Sequence, residues 1–574
     1  GTAELYDDKL QMTHPDIVAK LTERDSVMRV QPVYPLTEGL SLNVLGKAVS
    51  GALERVPDLP EWLDPALVAK REWTDWHSAL TAAHTPGEII DLEGTSDARM
   101  RLAYDELLAS QLAIMLVRSH VRRQAGRPVT GNGRLRSRVL DALPFEMTGS
   151  QKTAIVDIEE DMGSEHRMLR LLQGDVGSGK TVVALMAMLT AVEAGRQAAL
   201  MAPTEILATQ HYKKIMAYLE GSRVNVALLT GSTPKPKRQR ILAELETGQI
   251  HLVIGTHAIL SDTVKFQDLA LVIVDEQHKF GVRQRSNFRT KGFSPHYLVM
   301  TATPIPRTLT MTVFGDLDSS IIDELPPGRG TTETICLQTN QLEQALCKVE
   351  GLLEAGQQAY FIYPLVNTSD TLELTAAIDA ARSLRDGPLG HYGVGLLHGQ
   401  MKPDEKNDAM KAFRDGKTRI LVASVVVEVG VDVPNANVIV IHHAERFGLA
   451  QLHQLRGRVG RAGEDALCVL LADPANPIAT ERMAALVRTS NGFEIAEEDL
   501  RLRGPGQIFG TRQHGLPELQ IADLVEDFDL LRLARRDAFA TIAEDPDLAA
   551  PHHQQLRRLV KKLYAGKLNL LAGA

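Results

Sequence analysis

The stretch GDVGSGKT, residues 174–181, has the spacing GxxxxGKT, in which glycines let successive backbone N–H groups wrap an anion. Gly174, Asp175, Val176, Gly177, Ser178 and Gly179 form the loop. Lys180 has the reach to meet β- and γ-phosphate oxygens, and Thr181 offers a hydroxyl to Mg2+. The apolar run MLRLLQG precedes the loop and a helical run follows it, the context that separates a nucleotide site from a chance glycine-rich turn. DEQH, residues 275–278, ends a second apolar run, LALVIV. A carboxylate there holds the metal in hydrolases with this loop, so Asp275 takes that role and Glu276 is the candidate to orient and polarise the attacking water. QLRGRVGR, residues 454–461, offers Gln454, Arg458 and Arg461. Phosphoryl transfer needs positive charge on the γ-phosphate as bonds break, and arginine delivers it in bidentate form. Glycines set between arginines make a poor surface helix, which disfavours the blander explanation. If these arginines come from a separate lobe, hydrolysis waits for closure and chemistry is tied to motion.

The elements that must position these residues form two series. From about residue 168 to 303, the runs MLRLLQG, AALMAPT, HLVIGT, LALVIVDE and HYLVMTAT alternate with helix-length stretches. A second series follows from about 358: AYFIYPL, VGLLHG, RILVAS, NVIVIHH and ALCVLLA. Such alternation predicts parallel sheets covered by helices, hence two α/β lobes in tandem. The turn-rich DELPPGRG, residues 323–330, is the linker between them. A largely helical stretch over roughly 36–140 precedes the first lobe. After the second lobe comes a helix, a turn at Ser490–Gly492, a polar helical stretch, and then the basic, glycine-rich RGPGQIFGTRQ at 503–513.

With 574 residues, the chain exceeds what one core serves, and about three or four domains are expected. Apolar content of 44% and charge of 24% are those of a soluble globular protein. The longest apolar stretch, around Val182–Val192, is too short to span a bilayer, and GTAELYDDKLQMTHP carries no export signal. Without an initiator Met, the chain reads as a fragment or processed form. Three cysteines without CxxC spacing argue for a reducing compartment, hence the cytoplasm, and against structural zinc. A net charge of −9 leaves nucleic-acid binding to local patches. Seven arginines and no acid fall between Arg118 and Arg138, and KPKRQR at 235–240 adds four cations, although either could be a solvated face.

Taken together, these motifs resemble superfamily 2 helicases, and among them the RecG family of bacterial ATP-dependent DNA helicases, from PVYPLTEGL at 32–40 through ADLV at 522–525. The resemblance implies ATP and Mg2+ as cofactors and two tandem RecA-like lobes of parallel sheet. An N-terminal helical and OB-fold remnant and a C-terminal helical-hairpin translocation domain would flank them. The segments implied are 1–35, the tail of an OB-fold wedge most of which is missing; 36–140, a helical linker; 141–328 and 329–478, the lobes; and 479–574, the translocation domain. By the same resemblance, Phe145 and Gln151 in LPFEMTGSQ contact the adenine. APTEILATQH at 202–211 and GTHA at 255–258 touch DNA backbone, MTATPIPRTL at 300–309 relays nucleotide state, and LHGQM and VVVEVGVDVPNA face DNA from the second lobe. Arg458 and Arg461 match the arginine fingers.

Departures stand at Lys279, where the family has arginine and its planar fork, and at Ser424 and Val425, where it has two threonines. RGPGQIFGTRQ resembles the translocation motif that this family shares with the transcription-repair coupling factor. Arg482, Arg503 and Gln513 occupy its functional positions. Gly504, Gly506 and Gly510 with Pro505 suit a rigid loop that presents Arg503 and Arg512 to phosphates.

The activity implied is ATP-driven translocation on double-stranded DNA, remodelling stalled forks and Holliday junctions in repair and recombination. A monomer is expected, with no membrane contact and with single-strand-binding protein as a partner. The alternatives are a coupling-factor-like translocase and a catalytically silent DNA-binding scaffold. The first is disfavoured because TEGL and a helical segment precede the motor, and the second because a scaffold has no need of Lys180, Asp275, Glu276, Arg458 and Arg461 together.

Overall fold

The computed structural model describes the chain apart from residues 1, 7–8, 14–19, 24–29, 31, 38, 123–125, 277–294, 302–305, 307–316, 327–329, 365–369, 425–432, 434, 461–462, 504–518, 525 and 573–574. The chain divides into two compact units: residues 1–113 with 517–565, and residues 114–516 with 566–574. The segment 479–574 is therefore shared between the two.

In the first unit, β1 (Thr2–Tyr6) and β2 (Lys9–Thr13) form an antiparallel hairpin with Leu5 opposite Leu10. Helices Leu42–Leu53, Pro65–Arg71 and Trp76–His84 follow, and Ser41, Asp64 and Asp75 cap them by accepting from backbone N–H groups in their first turns. Helix Asp97–Arg122 begins here and helix Phe528–Glu544 packs in the same unit. Glu106 accepts from the backbone N–H groups of Gln520, Ile521 and Ala522 at 2.7, 2.9 and 3.0 Å, and Tyr104 Oη donates to Asp537 at 2.6 Å. These bonds join segments more than four hundred residues apart in sequence. Fully buried Arg101 bridges Glu61 and Asp105, and burial pushes the Asp105 carboxyl up to about 6.

The second unit holds both lobes. The first is a parallel sheet of β3 (Leu169–Gly174), β4 (Gln197–Met201), β5 (Val226–Leu229), β6 (Leu252–Gly255), β7 (Leu269–Asp275), β8 (His296–Thr301) and β9 (Asp318–Ile322), ordered β5-β6-β4-β7-β8-β3-β9. Every residue of β7 is buried, as helices on both faces of a parallel sheet require. The second sheet comprises β10 (Thr332–Leu337), β11 (Gln358–Tyr363), β12 (Val394–Leu397), β13 (Ile420–Ser424), β14 (Ala436–His442) and β15 (Ala466–Leu471), ordered β10-β15-β14-β11-β13-β12. The apolar runs read from the sequence all became strands. Among the described strands of the two lobes, three escaped that reading, β5, β9 and β10, and each lies at a sheet edge. Edge strands are short or polar because one side meets solvent, so their pattern is weak. Helices Pro477–Arg488 and Gly492–Arg503 form a hairpin clasped by Arg488 with Glu498 (2.7 Å) and Arg501 with Glu481 (3.1 Å).

Candidate active site

The phosphate loop leaves β3 and enters helix Lys180–Glu193, whose residues 182–191 are all buried. Gly177 (φ +83°) and Gly179 (φ +86°) take the left-handed conformation that turns backbone N–H groups inward and that side chains resist. Lys180 Nζ donates to the carbonyls of Gly174 (2.6 Å) and Asp175 (2.8 Å). The buried Ser178 hydroxyl has no partner among the described residues. Helix Gly149–Gly163 begins with a capping box: Thr148 Oγ1 accepts from Gln151 N, and Gln151 Oε1 accepts from Thr148 N. The box aims Gln151 Nε2 at the Ser178 carbonyl, 2.8 Å away. Phe145 packs, partly buried, against the core of the first lobe.

Asp275 ends β7 beside Met300 of β8, at the carboxyl ends of the strands where parallel α/β folds place ligands. Its Oδ2 pairs with His211 Nε2 at 2.8 Å, and His211 lies on helix Glu205–Tyr218. Glu276 has φ +54°, a left-handed conformation that costs a non-glycine residue about 1–3 kcal/mol. Its N–H is held by the Met300 carbonyl at 2.9 Å. Stored strain at this position fits a carboxylate placed for function rather than for stability.

From the second lobe, helix Leu449–Arg456 meets the phosphate loop. Gly457, just past the helix, approaches so closely that a Cβ there would stand 2.9 Å from Val176 Cβ. His453 Nε2 lies 2.6 Å from Asp175 Oδ1, which also accepts from Val176 N at 2.6 Å. Arg456 Nη2 donates to His453 Nδ1 at 2.9 Å, and Arg456 Nη1 bonds the carbonyls of Leu486 (2.7 Å) and Thr489 (2.9 Å) at the end of the hairpin's first helix. Burial opposes ionisation of Asp175, but the His453 and Val176 hydrogen bonds and the nearby Lys180 charge hold its carboxyl below the usual range. Gln454 and Arg458 flank this contact, both half-buried. Arg461 lies outside the described residues. His211, His453 and Arg456 were missed from the sequence. The only trace of the last two is their i, i+3 spacing, which puts them on one helix face.

Among the expected DNA-facing groups, Thr204 caps helix Glu205–Tyr218, and GTHA begins at the end of β6. The buried hydroxyls of Thr256 and Ser424 have no partner among the described residues. Arg482 lies on the hairpin's first helix with its Nε buried and without a partner among the described residues. Arg503 ends the second helix. Gln513, Arg512, Lys279 and Val425 lie outside the described residues. Four arginines of the arginine-rich run have structural partners. Arg118 pairs with Asp318, Arg127 with Asp268 (2.9 Å), Arg136 with Glu159 and Glu193, and Arg138 holds the Gly221 carbonyl (3.0 Å). In KPKRQR, which opens helix Lys235–Glu246, Lys235, Lys237 and Arg240 are exposed. No helix of the described residues is long and apolar enough to cross a membrane.

The chain is similar to known proteins. The DEAD/DEAH box helicase family matches residues 148–312, the helicase conserved C-terminal domain residues 341–463, and "ATP-dependent DNA helicase RecG, domain 3, C-terminal" residues 489–572. ATP-dependent DNA helicase RecG of Synechocystis is 45% identical over 94% of this chain, which spans 65% of that relative. RecG of Bacillus subtilis is 45% identical over 92% of this chain and 77% of the relative. The solved structure of RecG bound to a three-way DNA junction is 39% identical, with a TM-score of 0.68, over 92% of this chain and 70% of that one. With two parallel-sheet lobes, a helical hairpin following them in the chain, and this identity along nearly its whole length, the chain belongs to the RecG family of ATP-dependent DNA helicases.

Proposed function

We propose that this chain is an ATP-driven motor on double-stranded DNA that remodels branched substrates, regressing stalled forks and migrating Holliday junctions. The observation that carries the motor is the seat of the second lobe on the phosphate loop: Gly457 against Val176, with Gln454 and Arg458 on either side. Charge that develops on transferring phosphate is met only when both lobes are in place, so turnover follows closure. Branched DNA as the substrate is supported by the likeness to RecG bound to a three-way junction.

The residues fit the nucleotide and its metal. The left-handed glycines open a cradle at a helix N-terminus, Ser178 keeps a buried hydroxyl within it, and Lys180 is already inside. Thr181 and Asp275 would hold Mg2+, which neutralises phosphate charge when bound. Glu276 orients water, Gln151 and Phe145 serve the base, and Arg458 and Arg461 meet the γ-phosphate. Arg482, Arg503 and Gln513 convert closure into a step along DNA. Cytoplasmic location, a monomeric state and single-strand-binding protein as a partner are carried by the family resemblance.

ATP turnover and strand separation, each measured with linear duplex and with three-way junctions, test this function. Junctions are expected to stimulate both, Lys180→Ala to abolish turnover while keeping junction binding, and Arg503→Ala to keep turnover while losing strand separation. ATPase indifferent to DNA would overturn the motor, and equal action on linear and branched DNA would overturn the substrate.

A further inference from the structure

Asp175 places a carboxylate inside a loop whose task is to bind an anion. Such a charge has an obvious competitor role, since a carboxylate near Lys180 can pair with the ammonium that phosphates need. No ion pair joins them. Lys180 Nζ donates instead to the carbonyls of Gly174 and Asp175, and the Asp175 carboxylate is taken by Val176 N and by His453 Nε2.

The donor in that second contact is settled by Arg456. A guanidinium only donates, so His453 Nδ1, 2.9 Å from Arg456 Nη2, must accept. The ring proton therefore sits on Nε2 and points at Asp175. Arg456 is itself buried and tied to Leu486 O and Thr489 O. His453 thus arrives at the phosphate loop as a neutral, preoriented N–H donor from the second lobe, and Gly457 lets the main chain come close enough for it to reach.

We propose that His453 is a positioning residue for ATP binding: by taking the Asp175 carboxylate when the lobes meet, it leaves Lys180 to the nucleotide phosphates. Closure and nucleotide binding then favour each other, because thermodynamic coupling between two events is reciprocal. His453 has this role only if residues 174–181 are the ATP loop, and Lys180→Ala tests that premise separately.

The experiment is an ATP titration of DNA-stimulated turnover in the full chain, with thermal midpoints measured in parallel. His453→Ala is expected to raise KM for ATP about tenfold, the scale of one charge-assisted hydrogen bond, with kcat changed far less and the thermal midpoint kept. His453→Gln, whose amide supplies an N–H at a similar reach and an oxygen for Arg456, restores the parental KM. Asp175→Asn removes the competing charge, so adding His453→Ala to it raises KM little further. Should His453→Ala fail to fold, Asp175→Asn alone decides: ATP binding at least as tight as the parent supports the role, and weaker binding overturns it. Additive effects of the two substitutions, or loss of kcat and thermal midpoint with KM unchanged and no rescue by glutamine, also overturn it. Normal nucleotide binding and turnover in Lys180→Ala would instead remove the ATP-loop premise.

Discussion

The side-chain amide of Gln151 donates to the main-chain carbonyl of Ser178 at 2.8 Å, linking the helix before β3 to the phosphate loop after it. Gln151 is 1% exposed, and its amide oxygen is already committed to Thr148 N. The residue expected to read the base is therefore also tied to the loop proposed to hold the phosphates. Gln151→Ala leaves two buried main-chain groups without partners, at about 1–3 kcal/mol each. Weaker ATP binding and a lower thermal midpoint are expected together. A nucleotide titration beside a thermal melt checks this, and loss of nucleotide affinity alone would confine Gln151 to the base.

Arg458→Ala is expected to lower turnover by about a thousandfold, some 4 kcal/mol in the barrier, with nucleotide affinity changed far less. The charge it meets develops in the transition state rather than in the bound ground state. Single-turnover hydrolysis and equilibrium nucleotide binding separate the two. Equal losses in both would make Arg458 a ground-state contact.

Gly457 has an ordinary helical backbone, with φ −66°. Alanine is therefore unstrained there, and its one penalty is the close approach to Val176. Gly457→Ala should leave the thermal midpoint of the protein intact while reducing DNA-stimulated turnover by about tenfold, a cost of ~1.4 kcal/mol for closure. Unaltered turnover would show that the lobes react without this contact.

Burial, reinforced by the neighbouring His443, lowers His442 to about 4 from its ordinary 6.5. His442 stacks on Tyr363, and its Nε2 is hydrogen-bonded with that residue's hydroxyl at 3.0 Å. A folded-state pKa below the unfolded value means that the unfolded chain binds more protons between pH 6.5 and about 4. Stability from this site is complete above that window and falls as the pH drops through it, by on the order of 3 kcal/mol. Replacing His442 and Tyr363 together by phenylalanine should flatten the loss of stability between those pH values. Denaturant midpoints at several pH values measure it, and a slope unchanged from the parent would place the acid sensitivity elsewhere.

What the sequence determined by itself was local. GxxxxGKT between an apolar run and a helix specifies a phosphate loop, because glycine torsions, strand hydrogen bonds and helix start are all settled within about ten residues. The position of Asp275 at the end of β7 was legible for a similar reason: a short apolar run bounded by turns and alternating with helix-length stretches suits a buried parallel strand, and its carboxyl end is where such sheets place ligands. The tertiary structure alone decided which charges meet. His453 finds Asp175 across 278 residues, Arg118 finds Asp318 across 200, and Glu106 anchors a segment 414 residues downstream. Three arginines of a run that reads as a basic patch, Arg118, Arg127 and Arg136, are taken up in such pairs, and the Asp175 carboxylate of the loop is held by the opposite lobe. Charge has no periodicity for a sequence to display, since its partners are chosen by distance in space, and only the folded chain sets those distances.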